Sequence, residues 1–215
     1  KSLPRPPKLA IVMVGDDPAS KTYVALKVKK AQEVGIDVEV RQDLNTDADG
    51  IIVQLPGGEN LIDQIPLEKD VDGLREGSLF LPATVKGIIT ILDSIASLQN
   101  DVVYVIVGQG KLVGKPLADY LEKNNYHVIR CDINTSDLKK ETLKGDVLVS
   151  ATGVDGLITA DMVKPGAVVI DCGSPKPEVD PEVYKIAGAY TPVPGGVGPM
   201  TIVSLLENVV DAAEQ

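Results

Sequence analysis

Two α/β lobes, each built on a parallel sheet, are the architecture this sequence predicts. Three observations predict it. Short apolar, β-branched runs recur at residues 9–14, 50–55, 102–107, 147–151 and 167–172. Stretches with apolar residues at helical spacing lie between several of them, so helix and strand alternate as in βαβ units rather than hairpins. The 215 residues, at about 150 per domain, give one or two domains. A chain of that length buries roughly 70% of its unfolded surface and folds without disulfides or metals.

The elements follow in order. The first apolar run comes after a proline-rich lead and reads as a buried strand. Gly15-Asp16-Asp17-Pro18 is a turn, and Ser20 is the expected N-cap of a helix to Val34, closed by Gly35. Strand resumes at 38–40 and at 50–55, where Pro56-Gly57-Gly58 ends it. Residues 66–77 are polar and turn-rich. Ile88, Ile91, Leu92 and Ile95 give residues 85–98 a helical period. Beyond the strand at 102–107, a helix is expected at 115–124, a strand at 127–131, two strands at 147–151 and 167–172, and a last helix at 200–213. The lobes are placed at 1–95, joined by 200–215, and at 96–199.

Composition narrows the function classes. Twenty-one basic against 31 acidic residues give a net charge of −10, which disfavours nucleic acid and anionic membrane surfaces as partners. No apolar run reaches 18 residues, so no membrane span is expected. The basic lead has no signal-peptide core after it, and two cysteines without one suggest reduced thiols and a cytoplasmic protein. His127 is the one histidine, so no metal site is expected. With no Trp and one Phe, the core must be aliphatic.

Residues 103–116 combine strand, glycine loop and helix start, with Gly108, Gly110 and Gly114 in a G-x-G-x-x-x-G spacing. Pro116 suits the first helical turn. Glycines there let a backbone approach a pyrophosphate seated at the positive helix end, the signature of a Rossmann-like dinucleotide lobe. The same pattern also fits a tight turn without ligand. Asp132 stands 22 positions after Gly110, where a carboxylate takes the ribose hydroxyls of NAD; it fits a solvated loop equally, and Arg130 offers an opposing partner for a 2′-phosphate. In the first lobe, Ser20, Tyr23 and Lys27 fall at i, i+3 and i+7, one helix face, which by spacing alone is also a solvated face. Gln54 interrupts an apolar strand, and a buried amide needs partners. Asp70-Val71-Asp72-Gly73 is an acidic turn.

Taken together, the stretches at 14–24, 53–56, 68–73 and 190–201, with the glycine loop ending Val113-Gly114-Lys115-Pro116, resemble the bifunctional methylenetetrahydrofolate dehydrogenase/methenyltetrahydrofolate cyclohydrolase family. The blocks occur in the family's order across nearly the whole chain, and Pro194-Gly195-Gly196-Val197-Gly198-Pro199 is the most specific. The resemblance implies two lobes with a folate cleft between them, hydride transfer from methylenetetrahydrofolate to NAD(P)+, hydrolysis of the methenyl product to 10-formyltetrahydrofolate, and a homodimer. It implies acid/base work for Lys27, tuning by Gln54, stacking of Tyr23 on the folate and a pterin contact at Asp72. Ser20, Pro56, Pro194, Gly195, Gly196 and Pro199 would line the substrate, and Gly108, Gln109, Gly110, Asp132, Ile133, Ser174 and Thr201 the cofactor. NADP is the family expectation. Gln109 replaces the usual arginine of a Gly-Arg-Ser loop, and Ile133 stands where a phosphate-binding serine is common, so NAD stays open. Pro82-Ala83-Thr84-Val85 replaces the usual Pro-Cys-Thr-Pro. The chain looks shortened between Val40 and Asn45, after Gly73 and after Pro177. A dehydrogenase without cyclohydrolase activity is the alternative, and the presence of both Lys27 and Gln54 speaks against it. A non-catalytic binding protein is disfavoured because all four active residues remain. A short-chain dehydrogenase is excluded because its Tyr–Lys pair follows the dinucleotide motif, whereas Tyr23 and Lys27 precede it.

Overall fold

The computed structural model describes residues 3–95 and 97–215. Lys1 and Ser2 of the lead, and Ala96 within the helix expected at 85–98, lie outside them. In chain order the elements are β1 (Lys8–Met13), α1 (Pro18–Glu33), β2 (Asp37–Arg41), β3 (Gly50–Gln54), α2 (Glu59–Ile62), α3 (Ala83–Ser94), β4 (Val103–Val107), α4 (Gly114–Lys123), β5 (His127–Cys131), α5 (Leu138–Thr142), β6 (Val147–Ser150), β7 (Val168–Asp171), β8 (Ala189–Tyr190) and α6 (Val197–Ala213). Two compact units result: residues 1–83 with 202–215, and residues 84–201. The division falls before α3 rather than near residue 95. Gly87 of α3 packs so tightly on the Met200 backbone that a Cβ there would come within 3.0 Å.

The first unit holds three parallel strands in the order β2-β1-β3. Period-two alternation sorts their side chains. Leu9, Ile11 and Ile52 join Val24 and Ala31 of α1 with Leu205 and Val209 of α6 in one buried cluster. Ala10, Val12, Ile51 and Val53 join Ile65 and Ala48 in another. Each fully buried aliphatic side chain contributes about 1.5–3 kcal/mol. Helix α1 begins one turn earlier than the sequence suggested. Asp17 is its N-cap, accepting the Ser20 N–H at 2.7 Å, with Pro18 at the first helical position. Ser20 is therefore inside the first turn rather than the cap.

Residues 42–49 alone connect β2 to β3 across the intervening β1. Parallel crossovers ordinarily take about a dozen residues or more and carry a helix. Here Leu44 and Ala48 of the short connection cover the sheet instead. Asp49 anchors it, accepting from the Lys8 N–H at 2.8 Å and pairing with Arg5 at 2.6 Å.

The second unit is a five-stranded parallel sheet in the order β5-β4-β6-β7-β8. Counted within the unit this is 2-1-3-4-5, a doubly wound, Rossmann-like order whose topological switch lies between β4 and β6. Val105, Val107, Leu148 and Val169 share one buried cluster with Val179 and Val183.

In the first unit, Asn208 of α6 is buried and its Nδ2 donates to the carbonyls of Val71 at 2.9 Å and Leu81 at 3.2 Å. It pins the segment that carries Asp72. Asn208→Ala leaves two carbonyls without this donor and should destabilise the unit by about 1–3 kcal/mol in urea unfolding.

Candidate active site

In the first unit, β1 is flanked on one side by β2 and on the other by β3, so the strand order switches at it. Open parallel sheets bind ligands at the carboxyl ends of such strands. Met13 and Gln54 pair there, as the last residues of β1 and β3. The loop beyond β3 presses onto the loop beyond β1. Gly57 has φ +104°, and a Cβ on it would lie 2.8 Å from the Val14 carbonyl oxygen, so only glycine fits. Pro56, after the cis Leu55–Pro56 peptide, is exposed beside it.

Lys27 reaches this edge from α1. Its Nζ donates to Gln54 Oε1 at 3.0 Å, and Gln54 Nε2 donates to the Leu55 carbonyl at 2.7 Å. Gln54 is only 8% exposed, and its amide is satisfied at both ends. Burial holds the Lys27 ammonium below the ordinary lysine range, and the Asp72 carboxylate opposes this only in part. Burial pushes Asp72 the other way, above the carboxylate range; Lys27 pulls it back and Asp70 reinforces the rise. Asp72 is fixed through its backbone. Its carbonyl accepts the Ala83 N–H at 3.1 Å, and Gly73 is pressed against residues 80–82. The result is a lysine that gives up its proton more readily than an exposed one and a carboxyl that holds one more readily. One turn away, Tyr23 is 42% exposed, and the buried Ser20 hydroxyl has no hydrogen-bond partner among the described residues.

The second unit places its glycines at the switch between β4 and β6. Gly108 has φ +91°, and a Cβ on it would lie 2.2 Å from the Ala151 carbonyl oxygen beyond β6. A Cβ on Gly114 would lie 1.8 Å from the Gly108 carbonyl oxygen, locking the start of α4 to the loop. A Cβ on Gly110 would meet nothing within 4 Å. These are the tight turn, the helix packing and the open approach that a dinucleotide pyrophosphate demands, so the loop fits NAD(P). Gln109 folds back, its Nε2 donating to the Ile106 and Gly108 carbonyls at 3.2 Å. Asp132 and Ile133 are exposed just beyond β5, Ile133 fully.

Sequence reasoning missed Glu178. It is buried, and its carboxylate accepts four hydrogen bonds: from Ser150 Oγ at 2.5 Å, from the Thr152 N–H and Oγ1 at 2.8 Å, and from the Gly153 N–H at 2.8 Å. Asp171 in turn accepts the N–H groups of Gly173, Glu178 and Val179. Two buried carboxylates thus shape the loop beyond β6 beside Gly108. Neither lies in a recognisable motif; the only signal was an acidic residue between two apolar or proline neighbours.

Ser174 is exposed in the loop after β7, before a cis Pro175. Gly195 has φ +113°, Pro194 follows a cis peptide, and a Cβ on Gly196 would come within 2.7 Å of the Pro192 carbonyl oxygen. Pro199 and Thr201 lie in the first turns of α6, where Thr201 Oγ1 donates to the Val197 carbonyl at 3.1 Å. The structure thus gathers Lys27, Gln54 and Asp72 in the first unit. The glycine loop, Asp132, Ser174 and residues 194–201 all belong to the second.

Two family models cover most of the chain. The tetrahydrofolate dehydrogenase/cyclohydrolase catalytic domain matches residues 1–72, and the NAD(P)-binding domain of the same family matches residues 82–215. The chain belongs to this family. The bifunctional protein FolD of Methanospirillum hungatei is 43% identical over 249 positions, covering 96% of this chain and 88% of that protein. Because the alignment is longer than the 215-residue chain, that relative has internal segments with no counterpart here. The crystal structure of the bifunctional FolD enzyme from Campylobacter jejuni superposes with a TM-score of 0.89 at 34% identity, covering 98% of this chain and 89% of that one. The Trypanosoma brucei dehydrogenase-cyclohydrolase, complexed with NADP cofactor and inhibitor, gives a TM-score of 0.89 at 26% identity, covering 98% and 87%.

Glu178→Ala strands four donors around a buried void and should cost about 2–4 kcal/mol in the unfolding of the second unit. Lys27 carries a distinct pH signature. The unfolded chain keeps the lysine proton up to its ordinary value of 10.5, whereas the folded chain releases it earlier. Stability therefore rises with pH between the folded value and 10.5. Lys27→Met should raise the melting temperature at pH 7 and flatten that rise, as read by thermal unfolding from pH 7 to 10.

Proposed function

We propose that this chain oxidises 5,10-methylenetetrahydrofolate to 5,10-methenyltetrahydrofolate with NAD(P)+ and hydrolyses the methenyl compound to 10-formyltetrahydrofolate. One observation carries the reading: both the catalytic and the NAD(P)-binding models of the family match successive parts of this chain, and the first part holds Lys27 against Gln54. A dehydrogenase without the hydrolytic step would have no use for that pair.

Hydrolysis removes both protons of the attacking water, the first as it adds to the methenyl carbon and the second as the carbinol oxygen becomes the formyl carbonyl; one is delivered to the ring nitrogen that leaves and the other is released to solvent. Lys27 Nζ is the group for the removal from water and the delivery to nitrogen. Its lowered proton affinity populates the neutral amine that accepts from water, and the ammonium so formed is the donor. Gln54 Oε1 accepts from Nζ in either state and so orients it without fixing its charge. A carboxylate there would hold the proton on lysine. Asp72 offers paired acceptor oxygens to the N–H donors of a pterin. Tyr23 presents an aromatic face for stacking beside Ser20 and Pro56 of the same unit; in the second unit, Pro194, Gly195, Gly196 and Pro199 are assigned to the folate on the family resemblance.

The dinucleotide is assigned to Gly108, Gln109 and Gly110, with Asp132, Ile133, Ser174 and Thr201. When bound, its nicotinamide takes up the hydride. The protein's part in that step is alignment, with no acid or base demanded. Both ligands are anionic while the chain carries −10, so local features must hold them: the open glycine loop, the α4 N-terminus and Lys27. A cytoplasmic homodimer belongs to the same proposal, and the two free cysteine thiols agree with a reducing compartment. Sedimentation of the purified chain at twice the monomer mass supports the dimer; a monomer removes it.

Lys27→Met should lower methenyl hydrolysis by about 10²–10⁴-fold while much of the NAD(P)+-dependent oxidation remains. Both rates are read from methenyl absorbance. Undiminished hydrolysis would overturn the role given to Lys27.

A further inference from the structure

We propose that this protein prefers NAD+ to NADP+, with Asp132 as the residue that selects. The inference rests on the reading of the second unit as a dinucleotide-binding unit.

Its position comes from the strand pairing. The Gly108 N–H donates to the Cys131 carbonyl at 2.9 Å, so the end of β5 lies against the glycine loop. Asp132 is the next residue, and it is exposed. Its Oδ1 accepts the Asn134 N–H at 2.8 Å, and its own N–H donates to Thr135 Oγ1 at 2.9 Å. These bonds hold the carboxylate at the place where the adenosine ribose sits in a doubly wound sheet. There it accepts from two ribose hydroxyls and opposes a 2′-phosphate.

A nearby cation could reverse that preference. Arg130 on β5 is the candidate, and its guanidinium is already engaged. It donates to Asp119 at 2.6 Å and to both oxygens of Glu122 at 2.9 and 2.6 Å, with Gln109 Oε1 at 3.4 Å. Three of these bonds are charge-assisted, and a phosphate would have to displace them. Residues 132–137 hold two carboxylates, Asp132 and Asp137, and no cation. Asp137 caps α5 through the Lys140 N–H at 3.0 Å. Lys139 pairs with Asp161 at 2.6 Å. Ile133 is 99% exposed and offers a 2′-phosphate no donor. Lys111 and Lys115 lie on the glycine loop and the first turn of α4, beside the pyrophosphate that both dinucleotides share, so they do not discriminate.

The test measures kcat/KM for NAD+ and NADP+ with methylenetetrahydrofolate, and separately the Kd of each dinucleotide by calorimetry on the full chain. NAD+ should be favoured by about tenfold or more in both, because a carboxylate facing a phosphate is a like-charge contact. Asp132→Ser should shrink the ratio. Asp119→Asn combined with Glu122→Gln, which frees Arg130, should shift it further toward NADP+. Equal or tighter NADP+ binding by the intact chain overturns the proposal, as does an unchanged ratio in Asp132→Ser. Dinucleotide binding without turnover counts against the dehydrogenase reading alone, and the Kd ratio still decides the selectivity.

Discussion

Lys27 is half-buried and faces an amide, and the proposed chemistry of the first unit depends on that contact. A buried ammonium ordinarily recruits a carboxylate at contact distance, which raises its proton affinity and stabilises the charged pair. Here the contact partner is Gln54, which is neutral, and the compensating charge on Asp72 only partly restores what burial removes. The surrounding structure serves this balance. Asp17 caps α1 and sets where Lys27 emerges, the strand register sets Gln54, and Asn208 with the crowded Gly73 fixes the Asp72 segment. Holding a poorly stabilised cation costs folding free energy, which the aliphatic cluster around Leu9, Ile11 and Leu205 offsets.

The two units use the same construction. Each begins with strands in the order 2-1-3, and in each a glycine of positive φ beyond one strand is pressed onto a carbonyl beyond its neighbour: Gly57 on Val14 and Gly108 on Ala151. In both units this crowding lies at the sheet's carboxyl edge. What differs is the chemistry placed there. The first unit puts side chains at the edge, and the second puts backbone N–H groups and a helix end. Proton transfer needs groups that titrate; holding a dinucleotide needs none.

Much of this was legible in the chain. The strand at 127–131 is found at those residues, and the glycine loop lies between β4 and α4 as its spacing requires. Gln54 stood out because an amide among Ile51, Ile52, Val53 and Leu55 demands a partner. The helix cap was misread because Asp17 and Ser20 are both good caps, and only the backbone bend at Asp17 decides between them. α2, α5 and β8 span two to five residues, too short to show a period. Glu178 was invisible because its four donors come from residues 150–153, brought close only by the β6–β7 pairing and the loop that follows.

The short crossover between β2 and β3 leaves β2 at the margin of its sheet, with Val40 half exposed and no helix in the connection that follows. An uncovered outer strand is a template on which another chain can add, and natural sheets discourage this with charge. β2 alternates Asp37, Glu39 and Arg41 with its valines, and ion pairs run from Glu39 to Lys8 at 3.4 Å and from Arg41 to Asp43 at 3.0 Å. A second strand docking there would have to strip water from these groups. The polar fringe thus raises the cost of edge-to-edge pairing at a strand whose following connection carries no helix.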